Sequence, residues 1–267
     1  MTATVAVIVP AGGRDDHLRR LLDGLAGQTR PADDVVIADM GDATAVLHAT
    51  PLTVRRLGVS VTDARLPLAT ARNGAAATAD AEVLVFLDVD CIPHRDLVAD
   101  YADAVPAAAP ALTCGRVRYL RRGWDVARPL DGQSDPHPAR PLVDVSTVDR
   151  DRPDLFWSLN FATDVATWRR LGGFDEGYAG YGAEDTDLGR RAQAAAVPVV
   201  WLPGALAYHQ WHPPTRLDPT RTPELVANAR RFRERWGSWP MTGWLAELAA
   251  AGAVRFDPEH DILEDTA

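Results

Sequence analysis

Short, unbroken apolar runs alternate with stretches of helical periodicity through the first half of the chain. Residues 4–10 (Thr-Val-Ala-Val-Ile-Val-Pro), 35–38 and Val83-Leu84-Val85-Phe86-Leu87 are such runs. Each reads as a strand buried on both faces, and strands of that kind belong to parallel sheets covered by helices. Residues 14–26 carry leucines at 18, 21, 22 and 25, the stripe of a helix lying on a sheet. Pro10 is expected to stop the first strand, because proline cannot donate to a ladder. Ala11-Gly12-Gly13 then turns the chain, and the strand-helix-strand order makes the first two strands parallel neighbours. Residues 52–57 read as an edge strand, with Arg55 and Arg56 exposed or paired. Residues 68–79 are alanine-rich and helix-prone.

Further along, the pattern predicts a helix over 96–105 and a single strand over 111–119. Residues 120–150 are rich in Arg, Asp, Pro and Gly without apolar periodicity, as expected of a long mobile loop. A strand follows over 157–162. The next helix, 164–171, is capped by Asp164 and ended by Gly172-Gly173. A helix from Glu184 to Ala195, a strand over 197–202, and helices over 222–236 and 239–251 complete the regular elements. The polar, acidic tail from Arg255 is expected to fray. The class is α/β, a Rossmann-like, mostly parallel central sheet flanked by helices.

Composition narrows the partners. Hydrophobic residues at 46% and charged ones at 24% are ordinary for a soluble globular protein. A net charge of -9, from 28 basic and 37 acidic residues, disfavours nucleic acid. The two cysteines, Cys91 and Cys114, make neither a zinc spacing nor a disulfide framework, which suits a reducing compartment. No leader is expected before the first strand, and no apolar run reaches the roughly 18 residues of a transmembrane span. The expected location is the cytoplasm, with contact at a membrane surface at most.

The candidate chemistry begins where the Val83 strand ends, at Asp88-Val89-Asp90. Ligands of open α/β sheets sit at the carboxyl ends of strands. Carboxylates at i and i+2 on extended chain point the same way, and hard oxygen ligands favour Mg²⁺ or Mn²⁺. The plainer alternative is a strand ending in a polar turn. Gly12-Gly13 after the first strand and Asp39 after the second resemble a nucleotide-binding half-domain, but the third glycine of the dinucleotide spacing is missing. Arg72 is either solvated or set to reach a phosphate over the sheet. In the second half, a glycine- and aromatic-rich loop over 174–183 runs into Glu184-Asp185-Thr186-Asp187. Acids at a helix start serve as caps, whereas a flexible loop with aromatic faces is what a sugar-covering segment needs. His209 and His212 follow a strand end and are candidate metal partners for the Asp pair.

Taken together, these residues resemble a family 2 glycosyltransferase with the GT-A fold, and the second half resembles the C-terminal domain of β-1,4-galactosyltransferases. The resemblance spans residues 4 to about 240. It rests on Val7-Ile8-Val9-Pro10, Ala71-Arg72-Asn73, the Phe86–Pro93 run, Gly172–Asp175, Gly180–Asp187 and His209. It implies a donor-binding half over 1–110, an acceptor-binding half over 111–240, and a terminal helix and tail over 241–267, in a single GT-A domain. It implies that Asp88 touches the donor ribose and that Asp90 and His209 hold Mn²⁺ or Mg²⁺ against the diphosphate. Pro10, Gly12, Arg14, Asp39 and Arg72 would complete the donor seat. Asp185 would be the general base, with Glu184, Trp157, Tyr181 and Gly182 on the acceptor side. The implied reaction is inverting transfer from a nucleotide-diphosphate sugar, UDP-linked in the first instance, to a hydroxyl of a glycan, lipid-linked or small-molecule acceptor. Ala11-Gly12 replaces the family's usual polar and aromatic pair, and Tyr181 its tryptophan, so base contacts and acceptor stacking are expected to differ. The rival readings are a sugar-phosphate nucleotidyltransferase, a catalytically inactive nucleotide-sugar-binding module and an NAD-dependent oxidoreductase, which lacks its glycine fingerprint here.

Overall fold

The computed structural model describes residues 2–41, 43–62 and 65–266. In chain order the first elements are β1 (Val5–Ala11), α1 (Asp15–Ala26), β2 (Asp34–Asp39), α2 (Thr44–Ala49), β3 (Arg55–Gly58), α3 (Leu68–Thr78) and β4 (Val83–Leu87). Then come β5 (Cys91–Pro93), α4 (Leu97–Ala108), β6 (Leu112–Cys114), β7 (Val117–Leu120), β8 (Ser134–Pro136) and β9 (Thr147–Asp149). The chain continues through β10 (Asn160–Asp164), α5 (Val165–Leu171), α6 (Glu184–Ala194), β11 (Val199–Trp201) and β12 (Ala207–His209). It closes with α7 (Thr222–Trp236), α8 (Thr242–Ala250), β13 (Val254–Asp257) and β14 (Ile262–Asp265). No helix among the described residues is long and apolar enough to cross a membrane.

Among the described residues the central sheet has eight strands in the order β3-β2-β1-β4-β10-β6-β11-β9. β3, β2, β1 and β4 run parallel, and β10 enters antiparallel between β4 and β6. Side chains alternate by strand parity. Val5, Val7, Val9, Val83, Val85 and Leu87 face the leucines of α1 and the apolar side of α4. Ala6, Ile8, Leu84 and Phe86 face the alanines of α3 together with Trp168, Leu171 and Leu188 of α5 and α6. Burial on both faces explains why these strands are apolar without a break.

Several expectations need correction. β1 runs through Pro10, paired with Ala38, because the β4 ladder has already ended at Ile8 and Phe86. Proline there faces a neighbour on one side only, an edge-like position that tolerates it. The strand expected over 111–119 is two, β6 in the central sheet and β7 in a second sheet ordered β5-β12-β7-β8. Gly115 makes the crossing: a Cβ there would collide with the Ala205 carbonyl and stand 2.6 Å from the Asn160 amide. Residues 120–150 are tied down, by β8 on β7 and by β9 on β11. The tail is a hairpin of β13 and β14, whose Val254 and Leu263 pack with Leu225, Leu245 and Leu248 of α7 and α8. Its alternation was too short to stand out from the acids around it. Arg55 and Arg56 of edge strand β3 are paired, with Asp34 and Asp39 respectively.

Candidate active site

β4 ends against β10, and the Asp88 amide donates to the Leu159 carbonyl at 3.1 Å. The chain does not stay extended. A turn closes between the Asp88 carbonyl and the Cys91 amide at 2.9 Å, and it sends the two carboxylates apart. Asp88 accepts from Arg72 Nη2 at 2.7 Å, whereas Asp90 faces His209, His212 and Arg14. The expectation that both acids point one way fails for that reason, since the i, i+2 rule holds only for a strand.

Asp90 is buried, and its oxygens lie 3.6 Å from His209 Nε2 and 3.3 Å from His212 Nε2. One ligand atom from each of the three residues falls within 4.8 Å of the others. The family resemblance put only His209 beside Asp90 on the metal; the geometry offers both imidazoles. Gln210 holds the intervening loop: its amide donates to the Asp90 carbonyl at 2.7 Å and its side chain to the His17 carbonyl at 3.1 Å. Burial alone would raise the Asp90 pKa, but His209, His212 and Arg14 hold it well below the usual carboxylate range. Burial lowers His209, which keeps its ring neutral and able to donate a lone pair. Carboxylate oxygen with two imidazoles fits Mn²⁺ more readily than Mg²⁺. Arg14, at the start of α1, occupies the same carboxylate and also donates to Thr215 at 3.3 Å.

Arg72 is buried in α3 and bridges Asp88 to Glu184, whose Oε1 accepts from Nη1 at 3.0 Å. Its guanidinium lies 5.1 Å over the Phe174 ring, and the two carboxylates raise its pKa against the opposing effect of burial. Neighbouring Asn73 clamps Phe174 through its backbone, accepting at 2.8 Å and donating at 2.9 Å. The loop before α6 is thereby fixed to α3. α6 has no side-chain cap, because Ala183 stands at its start with φ 72°. Asp185 instead accepts from the Thr186 amide at 2.7 Å and from the Ser158 amide at 3.3 Å. Burial, then the charge of Glu184, push the Asp185 pKa up to about 7. Asp187 is fully buried and committed to Arg191, Trp236 and Arg235, so it is structural.

The remaining sequence candidates divide. Pro10 and Gly12 line the end of β1, and a Cβ at Gly12 would stand 3.1 Å from Leu66. Asp39, at the end of β2, is buried and accepts from the Gly41 and Ala43 amides and from Arg56 at 3.0, 3.2 and 2.7 Å. Trp157 stands beside the Asp185 seat, with His137 at 4.8 Å from its ring. Tyr181 stacks on Trp244 of α8 at 5.6 Å, and Gly182, with φ 102°, lies where a Cβ would press on Leu225 and Met241. Sequence reasoning missed Tyr119, which packs 4.8 Å from His209, and Arg140 beside Trp157. Both lay in or next to the stretch read as a mobile loop, which carries no periodic signal.

Comparison with known proteins identifies the family and the fold. A family model for glycosyl transferase family 2 matches residues 6–163, and one described as the N-terminal domain of galactosyltransferase matches residues 149–212. A validoxylamine A glucosyltransferase of Streptomyces hygroscopicus subsp. limoneus is 28% identical, covering 85% of this chain and 56% of that protein. Its namesake from subsp. jinggangensis is also 28% identical, with 85% and 60% covered. The chain thus spans less than two thirds of these curated relatives. S. aureus TarS superposes with a TM-score of 0.60 at 18% identity over 90% of this chain and 44% of that one. Its residues 1–349 in complex with UDP-GlcNAc give 0.61 at 14% identity, over 92% and 76%. These structural likenesses fix the fold as GT-A. With more than half its length matched by the family model, the chain belongs to glycosyl transferase family 2.

Proposed function

We propose that the protein is an inverting, metal-dependent glycosyltransferase that moves a sugar from a nucleotide-diphosphate sugar to an acceptor hydroxyl. The observation that carries this reading is the pairing of two chemically distinct carboxylate seats. Asp90 sits with two imidazoles, while Asp185 has its pKa raised to about 7. Asp90, His209 and His212 would hold Mn²⁺, which supplies charge to stabilise a diphosphate leaving group. Asp185, poised near neutrality, takes the acceptor proton as attack begins. Among the described residues of the site, Asp88 and Glu184 are held by Arg72, which leaves Asp185 as the one carboxylate free for proton transfer and favours single displacement. Asp88 and Arg72 position the donor side, and Glu184, Trp157 and Tyr181 the acceptor side. UDP is the preferred nucleotide, since a neighbour of the same fold was solved with UDP-GlcNAc, and the glucosyltransferase relatives suggest glucose as the sugar. The acceptor is a glycan, a lipid-linked glycan or a small molecule. Cytoplasmic residence fits two cysteines that are both free and buried.

The test is calorimetry of UDP-glucose and UDP-GlcNAc with Mn²⁺ and then with excess chelator, followed by UDP release in the presence of acceptor panels. Metal-dependent binding and acceptor-stimulated release are expected. Binding without release by any acceptor would leave an inactive sugar-nucleotide module, and no binding at all would sink the proposal.

A further inference from the structure

Buried ionised groups need partners, because an isolated charge removed from water is strongly disfavoured. Among the described residues the almost fully covered charged side chains, a set that leaves out the partly exposed Asp185, obey this with one exception. Asp39, Arg72, Asp90, Asp149, Glu184, Asp187 and Glu224 each have an opposite charge within 4.0 Å. Arg140 is 8% exposed and has no carboxylate at that distance. Its Nη2 donates to the Trp157 carbonyl at 2.8 Å, while Nε and Nη1 are buried without an acceptor. The guanidinium is held between two indoles, 5.2 Å from the Trp157 ring and 5.4 Å from the Trp201 ring. Such stacking orients a cation but does not satisfy its N–H groups.

Arg140 lines a cavity of about 10 Å³ whose walls include His137, Pro141 and Leu142, on the segment between β8 and β9. That is room for about one water molecule. Leu142 is 61% exposed, so this wall is thin and lies at the surface. The position is close to the chemistry, because the residue after Trp157, Ser158, gives its amide to Asp185.

We propose that Arg140 is the seat for an anionic group, a carboxylate or a phosphate, carried by the acceptor. The missing counter-charge arrives with the substrate, and the 137–142 segment yields to admit it. The inference rests on the glycosyltransferase reading for the word acceptor; the anion seat itself rests on Arg140. It predicts that charged sugars are preferred over neutral ones of the same ring. Charge-assisted hydrogen bonds set the scale at about 10- to 100-fold in affinity.

The experiment is calorimetry with glucose 6-phosphate, glucuronate and glucose, each titrated with and without saturating UDP and Mn²⁺. The nucleotide and metal cover the other place where an anion would bind. Tighter binding of the charged sugars by about 10-fold or more is expected, with the preference lost in Arg140→Gln and reduced in Arg140→Lys, which lacks the planar fork. Whichever charged sugar binds more tightly identifies carboxylate or phosphate. Equal binding of charged and neutral sugars by the wild type overturns the proposal, and so does a preference undiminished in both variants. If Arg140→Gln does not fold, the wild type and Arg140→Lys decide. UDP binding in the same series reports on the donor reading separately, so each idea fails on its own measurement.

Discussion

At the scale of single residues, Asp185 and His212 make the sharpest demands. As the proposed base Asp185 would act only when ionised, and its pKa is raised to about 7. Turnover should therefore climb with pH through about 7 and level off above it. Asp185→Asn should cut turnover by about 10²- to 10⁴-fold and abolish that limb, while donor affinity stays unchanged. The same shift has a stability sign. A carboxyl whose pKa is raised above its ordinary 3.8 contributes stability in acid, and that stability is lost as pH rises through about 7. Melting curves at about pH 5 and about pH 8 should show Asp185→Asn gaining on the wild type at the higher pH. No gain would mean that the carboxyl is better solvated than its surroundings imply. For the metal, His209→Ala and His212→Ala should each weaken Mn²⁺ binding by at least about 10-fold. A His212→Ala protein with wild-type affinity would return the site to Asp90 and His209 alone. Both histidines were legible as candidates from their place past a strand, but only the resemblance singled out His209, because spacing does not reveal the Gln210 anchor that brings His212 in.

The elements that the sequence disclosed are those with long or fully apolar patterns. β1, β2, β4, α1, α3 and α7 fall within a residue or two of their expected bounds. The three-residue strands β5, β8 and β9 were not legible, because their partners rather than their own residues define them, although the equally short β11 and the four-residue β3 were read. The crossing at Gly115 belongs to the same class: a single strand was expected where the chain changes sheets. Gly115→Ala should be severely destabilising, since both the Ala205 carbonyl and the Asn160 amide stand in the way. Soluble yield and thermal melting check this. Deleting the β13–β14 hairpin should likewise lower the melting temperature, because it uncovers Leu245 and Leu248 and removes Arg230's bonds to the Leu263 carbonyl. A truncated chain melting with the full-length protein would restore the picture of a loose tail.

Across the whole molecule, the candidate site is assembled from segments far apart in sequence. Asp88 and Asp90 lie beyond β4, Asp185 in α6, the imidazoles in and after β12, and Trp157 before β10. Their identities were readable one by one, but their mutual arrangement depends on the antiparallel entry of β10, which no local pattern announces. Arg72 is the residue where these segments meet, since one guanidinium holds Asp88, on the proposed donor side, and Glu184, beside the proposed base. If the proposed seats are right, a shared tether of this kind makes them effectors of one another. Whatever a donor does to Asp88 is felt at Glu184 through a planar group that cannot satisfy one carboxylate without regard to the other. Thermodynamic linkage then requires reciprocity: the factor by which donor changes acceptor affinity must equal the factor by which acceptor changes donor affinity. Arg72→Lys, a point charge without the fork, should bring that factor towards one while each ligand still binds alone.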